Sequence, residues 1–196
     1  QYRLIKSSGY RAKVVSCNGS IETGVLWYAG KIRLLKYETV IENNGGRGLF
    51  HRDPVYCEFE IRGKKTGVLI IHLKSHSGSE EYKKKAYKKR RSQVYAIEQW
   101  SSSKKNLIII GDWNDNFEGL YKSKTTMYPF YKKGWVFLTK NKYMEKSSCL
   151  TSHIKYRSMI DHILISYDLF KNFKNISIIC FDKKKAYSGA HKKISD

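Results

Sequence analysis

Leu107-Ile-Ile-Ile-Gly-Asp-Trp-Asn-Asp115 is the stretch on which the reading of this chain turns. Four consecutive apolar residues, three of them β-branched, suit a central strand covered on both faces, and the pattern predicts a strand over Asn106 to Ile110. The run stops at Gly111 and presents Asp112, Asn114 and Asp115 at once. Polar groups at the end of a buried strand are held rigidly by the sheet behind them. Asp112 offers an acceptor to a hard cation, and the Asn114 amide can donate to a phosphate oxygen while also accepting. The same residue types build ordinary turns, so this segment alone leaves a site and a turn both open.

Two other segments carry comparable chemistry. Gly67-Val-Leu-Ile-Ile-His-Leu-Lys-Ser75 is a predicted strand, Gly67 to Leu73, that delivers His72 near its end. A lone histidine there serves as readily in packing as in catalysis. Ser158-Met-Ile-Asp-His-Ile-Leu-Ile-Ser166, with a strand expected over Met159 to Ser166, sets Asp161 in an otherwise apolar run. Burying an unpaired carboxylate is costly, which implies a partner for Asp161. A histidine is the natural one, because a carboxylate fixes its tautomer and stabilises its cation. The chain ends on Ile194-Ser-Asp196.

Further short strands, rich in β-branched and aromatic residues, are expected over Lys13 to Cys17, Gly24 to Tyr28, Ile32 to Tyr37, Val55 to Ile61 and Ile176 to Phe181. One helix is predicted over Glu80 to Trp100. Tyr87, Val94, Ile97 and Trp100 form its apolar face, with Lys83, Lys84, Lys88, Lys89 and Arg90 largely outside it. Ser77-Gly78-Ser79 followed by Glu80-Glu81 supplies an N-cap and acids at the positive end of the helix dipole. Loops fall at Asn43 to Gly48, Ser101 to Lys105 and Lys183 to Gly189. Strands interleaved with few helices imply a layered α/β sandwich in one domain.

The formal charge is +21, from 38 Lys+Arg against 17 Asp+Glu, more than solubility needs. Such a field concentrates polyanions and makes nucleic acid the leading partner, although a lysine-rich proteome would raise the charge without function. Lys83 to Arg91 and Lys183 to Lys185 are the runs that could line a polyanion groove, or simply form solvated faces. No exposed apolar hairpin suited to a bilayer is evident in the sequence. Cys17, Cys57, Cys149 and Cys180 show no zinc spacing and read as buried thiols, with disulfide pairing left open by the compartment. No apolar run reaches the roughly 18 residues of a membrane-spanning helix.

In order, the chain carries His72-Leu-Lys-Ser, then Arg90-Arg91-x-Gln93 on a helix ending at Trp100, then Gly111-Asp-x-Asn-Asp115, Ile160-Asp-His-Ile-Leu-Ile-Ser166 and Ser195-Asp196. Gly24-Val-Leu-Trp-Tyr28 and Phe50-His-Arg-Asp-Pro-Val55 precede them. This succession resembles the DNase I-like endonuclease/exonuclease/phosphatase superfamily, in motif style its bacterial secreted nucleases, from about Gly24 to Asp196. The resemblance implies a four-layered α/β sandwich, two mostly antiparallel sheets packed together with outer helices. It implies a divalent-metal-dependent phosphodiesterase, a nuclease acting on DNA or RNA, using Mg²⁺ or else Mn²⁺ or Ca²⁺. Export would follow from the same branch.

Position by position, the resemblance makes His72 an acid/base or phosphate-contacting residue and Arg52 a residue that buttresses the site or contacts phosphate. Asp112 becomes a metal-site carboxylate or proton donor to the leaving oxygen, Asn114 a phosphate-orienting amide, Asp161 the partner of the family's final histidine, and Asp196 a metal ligand. That histidine would follow Asp196. The family's N-terminal strands, with an asparagine and a metal-binding glutamate, have no counterpart before Gly24. The expectation is therefore a single domain over residues 1–196 that lacks its first strands and its end, complemented by a second chain or fragment. A degenerate nucleic-acid-binding or assembly subunit and a lipid or small-molecule phosphoesterase are the alternatives on the same fold.

Overall fold

The computed structural model describes residues 8–15, 23–41, 48–140 and 158–176. Its strands are β1 (Tyr10–Val15), β2 (Thr23–Tyr28), β3 (Ile32–Thr39), β4 (Val55–Ile61), β5 (Lys64–His72), β6 (Leu107–Asp112), β7 (Val136–Phe137) and β8 (Asp161–Ile165). Helices α1 (Glu80–Ser101), α2 (Tyr128–Lys132) and α3 (Tyr167–Phe170) complete the described elements. The strand expected over Ile176 to Phe181, three of the four cysteines, the basic run Lys183 to Lys185 and Asp196 lie outside them.

β1 and β2 form a two-stranded antiparallel sheet, and the other six make a second sheet in the order β3-β4-β5-β6-β8-β7. β5 and β6 run parallel and the remaining pairs antiparallel. A parallel pair needs a crossover, and α1 supplies it. One face of the large sheet packs Leu69, Ile71, Leu107 and Ile109 against Val94 and Ile97 of α1. The other face packs Val55, Cys57 and Phe59 against Trp27 of the small sheet. The layered α/β sandwich expected from the sequence is the observed architecture. Cys57 is a buried free thiol, its pKa raised to about 11 by desolvation.

Ser79 caps α1, its hydroxyl accepting from the Tyr82 N–H at 3.3 Å. The buried stripe of the helix runs through Ala86, Arg90, Gln93, Val94, Ile97, Glu98 and Ser101. Arg90 thus belongs to the buried face and not to the solvent side where the charge pattern put it: it is 0% exposed. Tyr87 leaves the core and packs on Tyr121, centroids 5.2 Å apart. β1–β2 also departs from expectation. Tyr10, Val14, Leu26 and Tyr28 are exposed, and the register sets Tyr10 opposite Tyr28, so an apolar hairpin face does exist.

Two strand boundaries move in a way that matters for the site. β6 continues through Gly111 to Asp112, and β8 begins at Asp161. At Gly111 φ is +141°, and a Cβ would sit 1.9 Å from the Ile71 carbonyl oxygen on β5. Only glycine lets the two strands stay paired to this level.

Candidate active site

The pairing register aligns three of the singled-out side chains on neighbouring strands. His72 faces Asp112 across β5/β6, and Asp112 faces Asp161 across β6/β8. His72 Nε2 lies 3.5 Å from Asp112 Oδ2, with side chains 23% and 26% exposed. Burial chiefly, and then Arg52, lowers the His72 pKa, while Asp161 acts in the opposite direction. The Asp112 pKa is pushed up to about 6, mainly by desolvation. An N–H of Asn114 counters this, Asp161 adds to it, and Arg52 and Arg90 oppose it. At neutral pH the pair is therefore a neutral imidazole beside a carboxylate that accepts a proton on mild acidification.

Asn114 completes the strand end. Its left-handed backbone, φ 49°, is one that asparagine tolerates, and its N–H donates to Asp112 Oδ1 at 2.7 Å. Its side-chain Nδ2 donates to the Leu73 carbonyl at 3.0 Å, beside His72. Arg52, in the loop leading into β4, acts electrostatically on both His72 and Asp112. Arg52, His72, Asp112, Asn114 and Asp161 are thus brought to one end of the large sheet.

Asp161 differs from its expected setting. It is exposed at the first position of β8, so the desolvation argument for a buried pair does not apply to it. The buried member of that motif is His162, 1% exposed. Its Nδ1 lies 2.8 Å from Thr139 Oγ1, and its Nε2 lies 3.0 Å from the Asp115 carbonyl oxygen. Burial holds its pKa down to about 4, so it is a neutral packing histidine. Asp115 is structural as well: its carboxylate accepts from the N–H groups of Asn116, Leu120 and Thr126 and from the Thr126 hydroxyl.

Sequence reasoning placed Arg90 in a candidate polyanion run and Gln93 in a motif, but gave neither the role of aligning the site from behind. Gln93 is 1% exposed and donates from Nε2 to the Leu49 carbonyl at 2.9 Å, while its Oε1 accepts from the Lys74 N–H at 3.0 Å. It therefore ties the Arg52 loop to the end of β5. Arg90 donates to the Lys74 carbonyl at 2.9 Å and to His76 Nδ1 at 3.3 Å. Both residues sit on the helical stripe through Val94 and Ile97, and that period was the available signal.

Asp112 and Asp161 together supply hard oxygen donors whose mutual repulsion a cation would relieve. They fit Mg²⁺, which binds through one or two carboxylates, waters and substrate phosphate. Among the described residues no group of three His, Cys, Asp or Glu converges as a closed metal site.

No family profile matches the chain, and no curated protein matches its sequence. Solved structures do share its fold. The human Nocturnin catalytic domain, solved with a bound sulfate anion, has a TM-score of 0.58 at 14% identity over 83% of this chain and 62% of that one. An endonuclease/exonuclease/phosphatase from Bacteroides vulgatus has 0.56 at 13% identity, over 85% of this chain and 69% of that one. D. rerio TDP2 complexed with a single-strand DNA product has 0.51 at 13%, over 83% and 65%. The fold is that of the DNase I-like proteins, and the chain spans less than two thirds of the Nocturnin catalytic domain.

Proposed function

We propose that this chain is the larger part of a divalent-metal-dependent phosphodiesterase, a nuclease that cuts DNA or RNA. The observation that carries the reading is the row His72, Asp112, Asp161 across three adjacent strand ends, with Arg52 and Asn114 beside it. The +21 charge supports a polynucleotide substrate. By motif style the protein is an exported bacterial nuclease, with the missing strands and the final histidine supplied by a further segment or a second chain.

Hydrolysis breaks the P–O bond to the leaving oxygen as water attacks from the opposite side. His72 and Asp112 are 3.5 Å apart and share one side, so the pair serves one of these two oxygens. With a pKa near 6, Asp112 is suited to hand its proton to the leaving oxygen, and His72 orients that proton. Arg52 and the free part of the Asn114 amide hold the non-bridging oxygens. The base that takes the proton of water then belongs to the family's final histidine. A divalent ion held by Asp161 and Asp196 would, when bound, polarise the phosphoryl group, while Asp112 keeps the proton it donates.

The test is cleavage of plasmid DNA and of single-stranded RNA by the full-length gene product with Mg²⁺, Mn²⁺ or Ca²⁺. The expected result is metal-dependent cutting that EDTA stops. A salt-sensitive complex with no cleavage under any of these ions identifies the inactive subunit. The exposed face of Tyr10, Val14, Leu26 and Tyr28 favours a lipid phosphoesterase as a second reading, which sphingomyelin or phosphoinositide hydrolysis without nuclease activity would establish.

A further inference from the structure

The backbone just beyond His72 is held more firmly than a loop needs to be. The Leu73 carbonyl accepts from Asn114, the Lys74 N–H donates to Gln93, and the Lys74 carbonyl accepts from Arg90. These three partners are buried, Arg90 and Gln93 at 0% and 1% exposure. Lys74 is therefore fixed two residues past His72, with its ammonium 5.0 Å over the Tyr82 ring. The facing loop is pinned to the same helix. Lys89 Nζ donates to the Gly48 carbonyl at 3.2 Å and Gln93 donates to that of Leu49, three and two residues before His51. Gln93 thus sets the two backbone segments in register with one another.

The result is a shelf of positive charge beside the catalytic row. Lys89, burial, Lys74 and Arg52, in that order, lower the pKa of His51, which lies on the same pinned loop. Among the described residues neither Lys74 nor Lys89 is ion-paired with a carboxylate. Like charges gathered on a rigid frame without a counter-ion are unfavourable until an anion arrives.

We propose that Lys74 and Lys89, held on the two segments that Gln93 joins, form a subsite for a phosphate of the polynucleotide backbone next to the one cut at His72 and Asp112. The inference rests on the nuclease reading and deepens it: the strand leaves the catalytic row over the start of α1, and the substrate is a polymer and not a small diester. The other lysines of α1 are not needed for it.

The experiment is fluorescence anisotropy with a labelled single-stranded 12-mer in EDTA, so that binding is read without turnover. The variants are Lys74→Gln/Lys89→Gln and, as a charge-matched control at the opposite end of the sheet, Lys64→Gln/Lys105→Gln. Thermal melting first establishes that both fold as the parent does, and the glutamine stems keep the packing. The shelf variant is expected to weaken binding roughly tenfold near 50 mM salt and to reduce the slope of log K against log salt by about 1.4, for two backbone contacts. The control is expected to change affinity less than twofold. Equal losses in the two variants, or no loss in the first, would overturn the subsite and leave only a general field. Because no cleavage is needed, failure of the nuclease reading shows separately, as absence of turnover with intact, shelf-dependent binding.

Discussion

His72 and Asp112 face one another across the parallel strands β5 and β6, Nε2 to Oδ2 at 3.5 Å, at the level where both strands end. Neither carries its usual protonation balance, since burial lowers the histidine and raises the aspartate. If this pair moves a proton in the reaction, His72→Ala and Asp112→Ala should each lower kcat by roughly a hundred- to ten-thousandfold. Substrate affinity should change far less. Single-turnover cleavage with saturating enzyme measures this, and wild-type rates in either variant would remove the pair from the mechanism.

The raised Asp112 pKa also makes a statement about stability. Its folded pKa of about 6 lies above the ordinary 3.8, so the folded state binds the proton more tightly and the contribution is lost as pH rises through 6. Asp112→Asn, in EDTA, should therefore be more stable than the parent at pH 7 by roughly 1–3 kcal/mol. The gain should fade below about pH 4. Urea titrations at pH 4 and pH 7 check both the sign and the window.

His162 predicts the reverse slope. Its folded pKa of about 4 lies below 6.5, so the unfolded chain binds the extra proton between these values. Acidification from pH 6.5 to 4 should cost up to about 3 kcal/mol from this residue. Chemical shifts of the His162 ring should show it neutral through pH 5; a ring titrating near 6.5 would contradict the buried setting.

Gln93→Ala leaves the Lys74 N–H and the Leu49 carbonyl without their partner. The expected destabilisation is about 1–3 kcal/mol for two orphaned, part-buried backbone groups. Because the residue joins the Arg52 loop to the His72 strand, activity measured well below the melting temperature should fall as well. A stability loss with unchanged turnover would make Gln93 a packing residue only.

Gly111→Ala would put a methyl group 1.9 Å from the Ile71 carbonyl oxygen, so β5 and β6 must separate. A loss of about 3 kcal/mol or more is expected, read by thermal melting, together with loss of cleavage. Serine at this position should fare no better.

Seven of the described strands, β7 excepted, and the long helix were legible because their periods and apolar runs are local properties of the chain. The Leu107 to Ile110 run announced a covered strand, and Ser79 with Glu80 and Glu81 announced the start of α1. The polar members of the buried stripe were misread. Arg90 looked solvent-exposed because it stands among lysines, and nothing local states that its guanidinium meets the Lys74 carbonyl. Asp161 was expected to be buried and is exposed, its neighbour His162 being the buried residue, for a similar reason. Adjacent residues of a strand point to opposite faces, and which face is buried depends on the start of β8 and on what packs there.

By itself, then, the sequence determined the class of fold, the excess positive charge and the residue types His72, Asp112, Asn114 and Arg52 of the candidate site. Tertiary structure decided their alignment. His72, Asp112 and Asp161 lie 40 and 49 residues apart along the chain, and only the pairing of β5 with β6 and of β6 with β8 sets them side by side. Hydrogen-bond register is a long-range property. It is fixed by the crossover through α1 and by the clearance at Gly111, neither of which a local pattern records.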